Sequence, residues 1–520
     1  MTFNSYAFLL AFLPIVLAGY YILQRSFASR TPAFLWLIAA SLVFYASLDP
    51  RYLVILVVSV GLNFLAVAHL ARTSMEDPGR RRVFVAAVVG NLLFLGYFKY
   101  TGLVVDSING LAGTHLDVFR PTYPTGMSFF TFIQIGCLVE AYTGQVQGLS
   151  FVKYALFGSF FPYVTAGPIV RQSEIFRQME LPAGERTGRT PIAVGLTLFA
   201  MGLFKKVVLA DNIAPYVTTL FGAVATGAAT GPLNAWIGAL SYTLELYFDF
   251  SGYSDMALGL GCMFGLRLPL NFNSPLKATS MIDFWRRWHM TMVRFFTSHV
   301  YTPITVSVMR RTTRLGLPRP VRMLIALTIP VFVTFVLVGL WHGATWGFVI
   351  SGAIHGVALA LNLSWRELRT RFAVLPSLPG PLGWALTMLV VVVANVFLRA
   401  DTVQSAVRIL GMMLGLTSAA PTTAAQFYGT ATLLGTFTVV PAVVWLVLLA
   451  TIAVLFPRNS QQILGSYPVA LPSLASPVEP ERPPRIDWRP SLRWAATMAA
   501  LGGVALTSLG GPSPFLYYQF

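Results

Sequence analysis

The sequence predicts an all-α, polytopic membrane protein, and three observations predict it. Of its 520 residues 56% are hydrophobic and only 11% are charged, whereas a soluble chain of this length needs a far more charged surface. Mean hydropathy is +0.68, and apolar runs of roughly 17 to 25 residues recur, enough to cross a hydrocarbon core of about 30 Å. The runs are continuous and lack the ten-residue alternation of a membrane β-barrel.

The first run covers residues 6–23. A signal peptide carries a basic stretch before its apolar core, but the first arginine here is Arg25, so this run is expected to be a retained first span. Arg25 and Arg30 place the following connection in the cytoplasm and the N-terminus outside. Further spans are expected at 32–48, 52–70 and 83–98, with a tight turn at Asp49-Pro-Arg51. The loop 71–82 carries four arginines against two acids, a cytoplasmic signature. Residues 102–124, with His115, read as an external loop. Spans or partial spans follow at 126–142, 151–163, 191–209 and 233–247, then at 321–340, 346–361, 382–397, 433–455 and 491–509.

Two stretches break this pattern. Gly167-Pro-Ile-Val-Arg171 and Asp249-Phe-Ser-Gly-Tyr-Ser-Asp255 set helix breakers and charges beside apolar sequence. Non-helical backbone at membrane depth survives only when buried in protein or lining a cavity, so both are expected to be re-entrant or broken helices. Residues 459–489 are rich in Pro, Ser and charge and read as an exposed linker before a last span. The chain is otherwise expected to be a single domain, 1–520.

The net charge of +17 would suggest nucleic acid in a soluble chain. Here the arginines gather in short connections, which points to topology and to anionic lipid headgroups rather than to nucleic acid. Cys137 and Cys262 lie in apolar sequence and read as small core residues; no metal site is expected.

Two histidines carry the chemistry. His342 lies in Gly339-Leu-Trp-His-Gly343, with Trp341 and Trp346 as apolar walls; His289 ends Phe284-Trp-Arg-Arg-Trp-His289. A proton-active side chain held in or near the bilayer is costly unless used. His342 suits a general base, the bland alternative being a histidine bonded between helices. Around His289, Asp283 can pair with Arg286 or Arg287 across one turn, and Trp285 falls four residues earlier on the same helical face. The two arginines could clamp a donor phosphate, or the segment could be an interfacial anchor. Glu245, Asp249 and Asp255, beside Tyr247 and Tyr253, form an acidic set that reads equally as a relay or as structural partners of Lys205, Lys206 or Arg267. His299 and His355 are weaker candidates; His355 stands thirteen residues from His342, off its helical face. The nucleophile elbow, Walker A, His-Glu-x-x-His and dinucleotide signatures are all missing from the sequence, which leaves group transfer or a proton-linked transport step.

These motifs resemble the membrane-bound O-acyltransferase family, in particular its bacterial alginate O-acetylation branch. The likeness runs through Gly126-Met-Ser-Phe-Phe-Thr-Phe-Ile-Gln134, Ala166-Gly-Pro-Ile-Val-Arg171, Tyr247-Phe-Asp-Phe-Ser-Gly-Tyr-Ser-Asp-Met256, Asn271-Phe-Asn-Ser-Pro275 and both histidine motifs. The resemblance implies about eleven to thirteen helices around a central tunnel, in the bacterial inner membrane. It implies His342 as catalytic histidine and His289 as the second; the residue chemistry above adds Arg286, Arg287, Trp285, Trp341, Asp249, Asp255 and Tyr253 as supporting or donor-binding candidates. It further implies transfer of an acyl group, expected to be acetyl from acetyl-CoA, towards hydroxyls of an exopolysaccharide or cell-wall glycan. No bound cofactor is implied, and an extracytoplasmic SGNH-type, esterase-like acetyltransferase is the expected partner. A proton-coupled polysaccharide or lipid transporter and a non-catalytic scaffold are the alternatives. The chain departs from the branch after His289, where Met290-Thr-Met-Val-Arg294 replaces Ser-Leu-Ser and paired glycines are missing downstream; that puts the acceptor, alginate above all, in doubt.

Overall fold

The computed structural model describes residues 1–181, 189–372, 374, 376–417, 423–433, 437–456, 458–465, 467, 469–471, 488–510, 513 and 515–518. Among them, seven helices are long and apolar enough to cross a membrane: Ala7–Ser26, Pro50–Arg72, Pro78–Ala112, Thr190–Ala225, Arg319–His342, Trp346–Arg371 and Gly380–Arg399. Three shorter apolar helices, Thr31–Ala46, Met127–Tyr142 and Pro441–Leu455, accompany them. The protein is therefore all-α and multi-pass, as its apolar runs predict. The described strands are one short hairpin, Ala431–Leu433 paired antiparallel with Phe437–Val439, so the span expected at 433–455 becomes a helix only from Pro441.

The chain divides into two compact units. The first comprises Met1–Val208, Phe250–Leu270 and Ser460–Gln519. Its core is aromatic: Phe3, Phe8, Phe44, Phe160 and Phe161 are all nearly inaccessible to solvent. Phe3 stacks on Tyr253 with centroids 5.0 Å apart, and Phe515 meets the same ring edge-on at 4.5 Å. The N- and C-terminal segments are thereby tied to each other, and Asn4 Nδ2 adds a bond to the Ser513 carbonyl at 2.9 Å. The segment around Gly167-Pro-Ile-Val-Arg171 is non-helical and buried between the helices Phe151–Ser159 and Gln172–Glu180, as expected.

The second stretch expected to break does not. Residues 249–255 lie inside one helix, Pro232–Met263, whose residues to Asp249 belong to the second unit and from Phe250 onward to the first. Gly252 is kept helical because it is a contact point rather than a breaker: a Cβ there would stand 2.7 Å from the Gly202 carbonyl oxygen. Close backbone approach at small residues is how helices pack in lipid.

Two further expectations change. The helix expected at 83–98 runs from Pro78 to Ala112, 35 residues, taking in part of the expected external loop. The ends of the expected exposed linker are packed: Ser460, Leu464, Val469 and Trp488 are buried in the first unit, and Trp488 donates its amide to the Ile463 carbonyl at 2.9 Å. Residues 472–487 of that linker lie outside the described residues.

The second unit, Leu209–Asp249 with Asn271–Asn459, is built on the antiparallel helix pair Arg319–His342 and Trp346–Arg371. Its crossing is glycine-lined: a Cβ at Gly339 would overlap the Phe348 carbonyl, and one at Gly352 the Phe335 carbonyl.

Candidate active site

The candidate site forms in the second unit, from two chain segments that end helices. Ser280 caps the short helix Met281–Arg287, its hydroxyl accepting from the Asp283 amide at 3.1 Å. Arg287 Nε donates to Asp283 Oδ1 at 2.8 Å. The helix then stops: Trp288 is extended, and His289 takes φ 42°, ψ 51°, before a second helix begins at Met290. Left-handed backbone at a non-glycine residue costs of order 1–3 kcal/mol and concentrates at functional sites. Among the described residues only Ser274 and His289 adopt it without being glycine, and Ser274 follows directly on Asn273, whose segment is hydrogen-bonded to this turn.

The strain is held by a second strand of chain. The Asn273 amide donates to the Arg287 carbonyl and the Met290 amide to the Asn271 carbonyl, each at 2.9 Å. Asn271 also grips the imidazole. Its Oδ1 accepts from the Thr291 hydroxyl at 2.6 Å and from the Thr291 amide at 3.4 Å, and lies 3.1 Å from His289 Nδ1. Those donors identify Oδ1 as the carbonyl oxygen, so His289 Nδ1 carries the hydrogen. In the neutral ring Nε2 then holds the basic lone pair. His289 is fully buried, and burial, with the neighbouring His342 second, holds its imidazole well below the ordinary histidine range.

His342 is the last residue of Arg319–His342, at the glycine-lined crossing. Gly343 follows it because a side chain there would collide with the Phe348 ring. His342 is half-buried. Its ring centroid lies 6.3 Å from that of His289 and 4.7 Å from that of Trp341, which in turn lies 5.8 Å from His289. Two histidines 53 positions apart in sequence and the tryptophan between them thus form one cluster.

The other expected residues divide. Trp285 is not on the face of His289, since the helix between them ends. It packs against His355 (5.0 Å) and Phe335 (4.7 Å) instead, with Phe284 stacked on the same histidine at 6.3 Å. His355 is thereby placed beside the site motif, which its spacing from His342 did not reveal. Arg287 is engaged by Asp283 and by the Asn273 carbonyl at 3.4 Å, while Arg286 is exposed. Glu245 and Asp249 are buried on the long helix, whose Tyr247 packs on Phe272 and Trp288 at 6.2 and 6.4 Å. His299 Nδ1 lies 2.9 Å from the Phe295 carbonyl, one turn back.

Asp255 and Tyr253 belong to the first unit. Asp255 Oδ2 accepts from Lys205 Nζ and the Ser460 hydroxyl, both at 2.6 Å, and Oδ1 from Gln461 at 2.7 Å. The structural reading of this carboxylate therefore has a specific partner, Lys205. The Tyr253 hydroxyl pairs with that of Thr165 at 2.7 Å. The residues missed by sequence reasoning are Asn271 and Thr291. Asn271 was visible as the first residue of a quoted motif, but its bond to a ring eighteen positions away has no sequence signature.

The family model for membrane-bound O-acyltransferases matches residues 137–398. The chain is 36% identical over 443 residues to the peptidoglycan O-acetyltransferase of Helicobacter pylori, covering 80% of each chain. It is 36% identical over 419 residues to the probable alginate O-acetylase AlgI of Azotobacter vinelandii, covering 79% of this chain and 78% of that one. It is also 26% identical over 292 residues to the teichoic acid D-alanyltransferase of Bacillus subtilis, covering 54% of this chain and 72% of that one.

Proposed function

The chain belongs to the membrane-bound O-acyltransferase family, and from that premise we propose that His342 is the general base of an acyl transfer to hydroxyls of a cell-surface or secreted glycan. The protein is a multi-pass membrane O-acyltransferase; the donor, acceptor and residue roles are the proposal. The observation that carries it is the His289–Trp341–His342 cluster, with the two imidazole centroids 6.3 Å apart.

In the reaction the hydroxyl of an intermediate acyl carrier gives its proton to His342 as its oxygen attacks the thioester carbonyl of the donor, proposed to be acetyl-CoA on the cytoplasmic side. The C–O bond forms, the C–S bond breaks, and the departing thiolate takes the proton from the imidazolium. His289 supports this as a neutral ring. With Nδ1–H committed to Asn271 it presents an acceptor rather than a donor, which argues against an oxyanion-stabilising role and for steering the hydroxyl or shuttling its proton. The proposed membrane is the bacterial inner membrane with the N-terminus outside, and an esterase-like extracytoplasmic transferase completes delivery to the glycan. What weighs against the proton-coupled transporter is that Asp255, one of its carriers, is saturated by Lys205, Ser460 and Gln461.

The test is mass analysis of surface glycan from a deletion strain complemented by wild type or His342→Ala. Wild type should restore the acyl mass and the variant should not, although it reaches the membrane in equal amount. Full acylation with His342→Ala overturns the proposal.

A further inference from the structure

Away from the histidines, the helix pair of the second unit carries a groove on its outer side. It has a volume of about 330 Å³ and is lined by Thr328, Ile329, Phe332, Val357, Leu361 and Ser364, among others. Its walls are apolar and open: Ile329 is 48%, Val357 48% and Leu361 65% exposed. Bilayer surrounds such a face in a multi-pass protein, so apolar exposure alone names no occupant. The charge above it does.

No acid occurs between Asp283 and Glu367, and residues 310–322 and 366–371 together hold eight arginines against Glu367 alone. Because the two helices are antiparallel, residues 319–322 and 366–371 share one end, where Arg371 Nη2 reaches Met323 Sδ at 3.4 Å. The register then lines charge up with groove. Arg322 stands seven residues before Ile329, and Arg371 seven after Ser364, which is two turns, the same face, and about 10 Å along each axis. Side chains lean towards their helix N-terminus, so Arg371, ion-paired with Glu367 at 2.9 Å, leans back over the groove, while Arg322 leans away from it. One polar atom supports a headgroup here: Arg322 Nε is buried without a hydrogen-bond partner in the protein, while Nη1 of the same guanidinium donates to the Thr313 hydroxyl at 2.9 Å.

We propose that this groove and its arginine rim are a binding site for one anionic phospholipid. The phosphate sits at Arg322 and Arg371 and one acyl chain fills the groove two turns below, a spacing that a free phosphate cannot bridge. A second copy of this chain is disfavoured as occupant because it would bring an identical basic rim to the contact. The site lies on the helix that ends in His342, but the proposal stands independently of the reaction assigned to that residue.

The experiment uses full-length protein, delipidated in mild detergent, with phosphatidylglycerol and phosphatidylcholine of identical chains competing at equal concentration, read by native mass spectrometry. Phosphatidylglycerol should be retained preferentially, by about fivefold per arginine engaged. Arg322→Gln with Arg371→Gln should abolish the preference, Arg322→Lys with Arg371→Lys should keep it, and Leu361→Trp should weaken retention of both lipids by filling the groove. Equal retention of the two lipids by wild type overturns the proposal. So does a preference that survives the glutamine pair or is lost in the lysine pair, undiminished retention in Leu361→Trp, or equal competition by chain-free glycerol phosphate. Lipid-free dimers as the main species also overturn it.

Discussion

Each unit buries polar, titratable groups in an apolar surround, and the two use them in opposite ways. In the first unit the Asp255 carboxylate is saturated: a lysine and a serine on one oxygen, a glutamine on the other. That arrangement commits both carboxylate oxygens and fastens Ser460 and Gln461 to the long helix. In the second unit His289 is held through one nitrogen by a neutral amide, and His342 stands half-exposed at a helix end. A group locked in an ion pair cannot change protonation during a turnover without unlocking it, whereas an imidazole held by a neutral partner can. The comparison teaches that burial of an ionisable group is uninformative about catalysis until its partners are counted.

Four predictions would break or sharpen that contrast. The largest concerns His342: alanine there should lower acyl transfer by about 10²- to 10⁴-fold while thermal unfolding stays near that of wild type, as measured by glycan mass and by melting of the purified protein. Next comes the ion pair. Lys205→Met should destabilise the first unit by about 3–5 kcal/mol, the usual penalty for stranding a buried charge, and Lys205→Met with Asp255→Leu should recover much of it. If Lys205→Met melts like wild type but stops transfer, the cluster is chemical and the contrast fails. Third, Gly339→Leu should cost about 1–3 kcal/mol by forcing the glycine-lined crossing apart, and activity should fall with it because His342 rides on that crossing. The smallest effect is a shift rather than a loss. Asn271→Asp places a carboxylate on His289 Nδ1, and a neighbouring negative charge favours the imidazolium. The neutral base is then lost at a higher pH on acidification, so the acid limb of the pH–rate profile should move upward. A profile unchanged from wild type would show that His289 does not take part.

Much of this was legible in the sequence, for physical reasons that also explain the rest. Lipid forces every spanning segment to be long, apolar and internally bonded, so the spans show as runs separated by arginine-bearing connections. The two histidines stood out because a proton-active side chain within or beside a long apolar run is costly. What could not be read was tertiary. Gly252 has the local character of a breaker and becomes a packing contact only because Gly202 faces it. The break after Arg287 cannot be foreseen from Trp-His-Met, since it depends on hydrogen bonds from the 271–273 segment. The fates of Trp285 and Asp255 were decided by partners, His355 and Lys205, that are 70 and 50 positions away.

The helix Pro78–Ala112 has 35 residues, about 52 Å at 1.5 Å per residue. To fit within a hydrocarbon layer of about 30 Å it would have to lean by more than 50°, and spanning helices rarely exceed about 40°. Several of its turns must therefore stand clear of the oily layer, a mast rooted in the bilayer. That makes it a place to attach a spectroscopic label that reports how deep the protein rides in membranes of different thickness, without touching the residues that carry the chemistry.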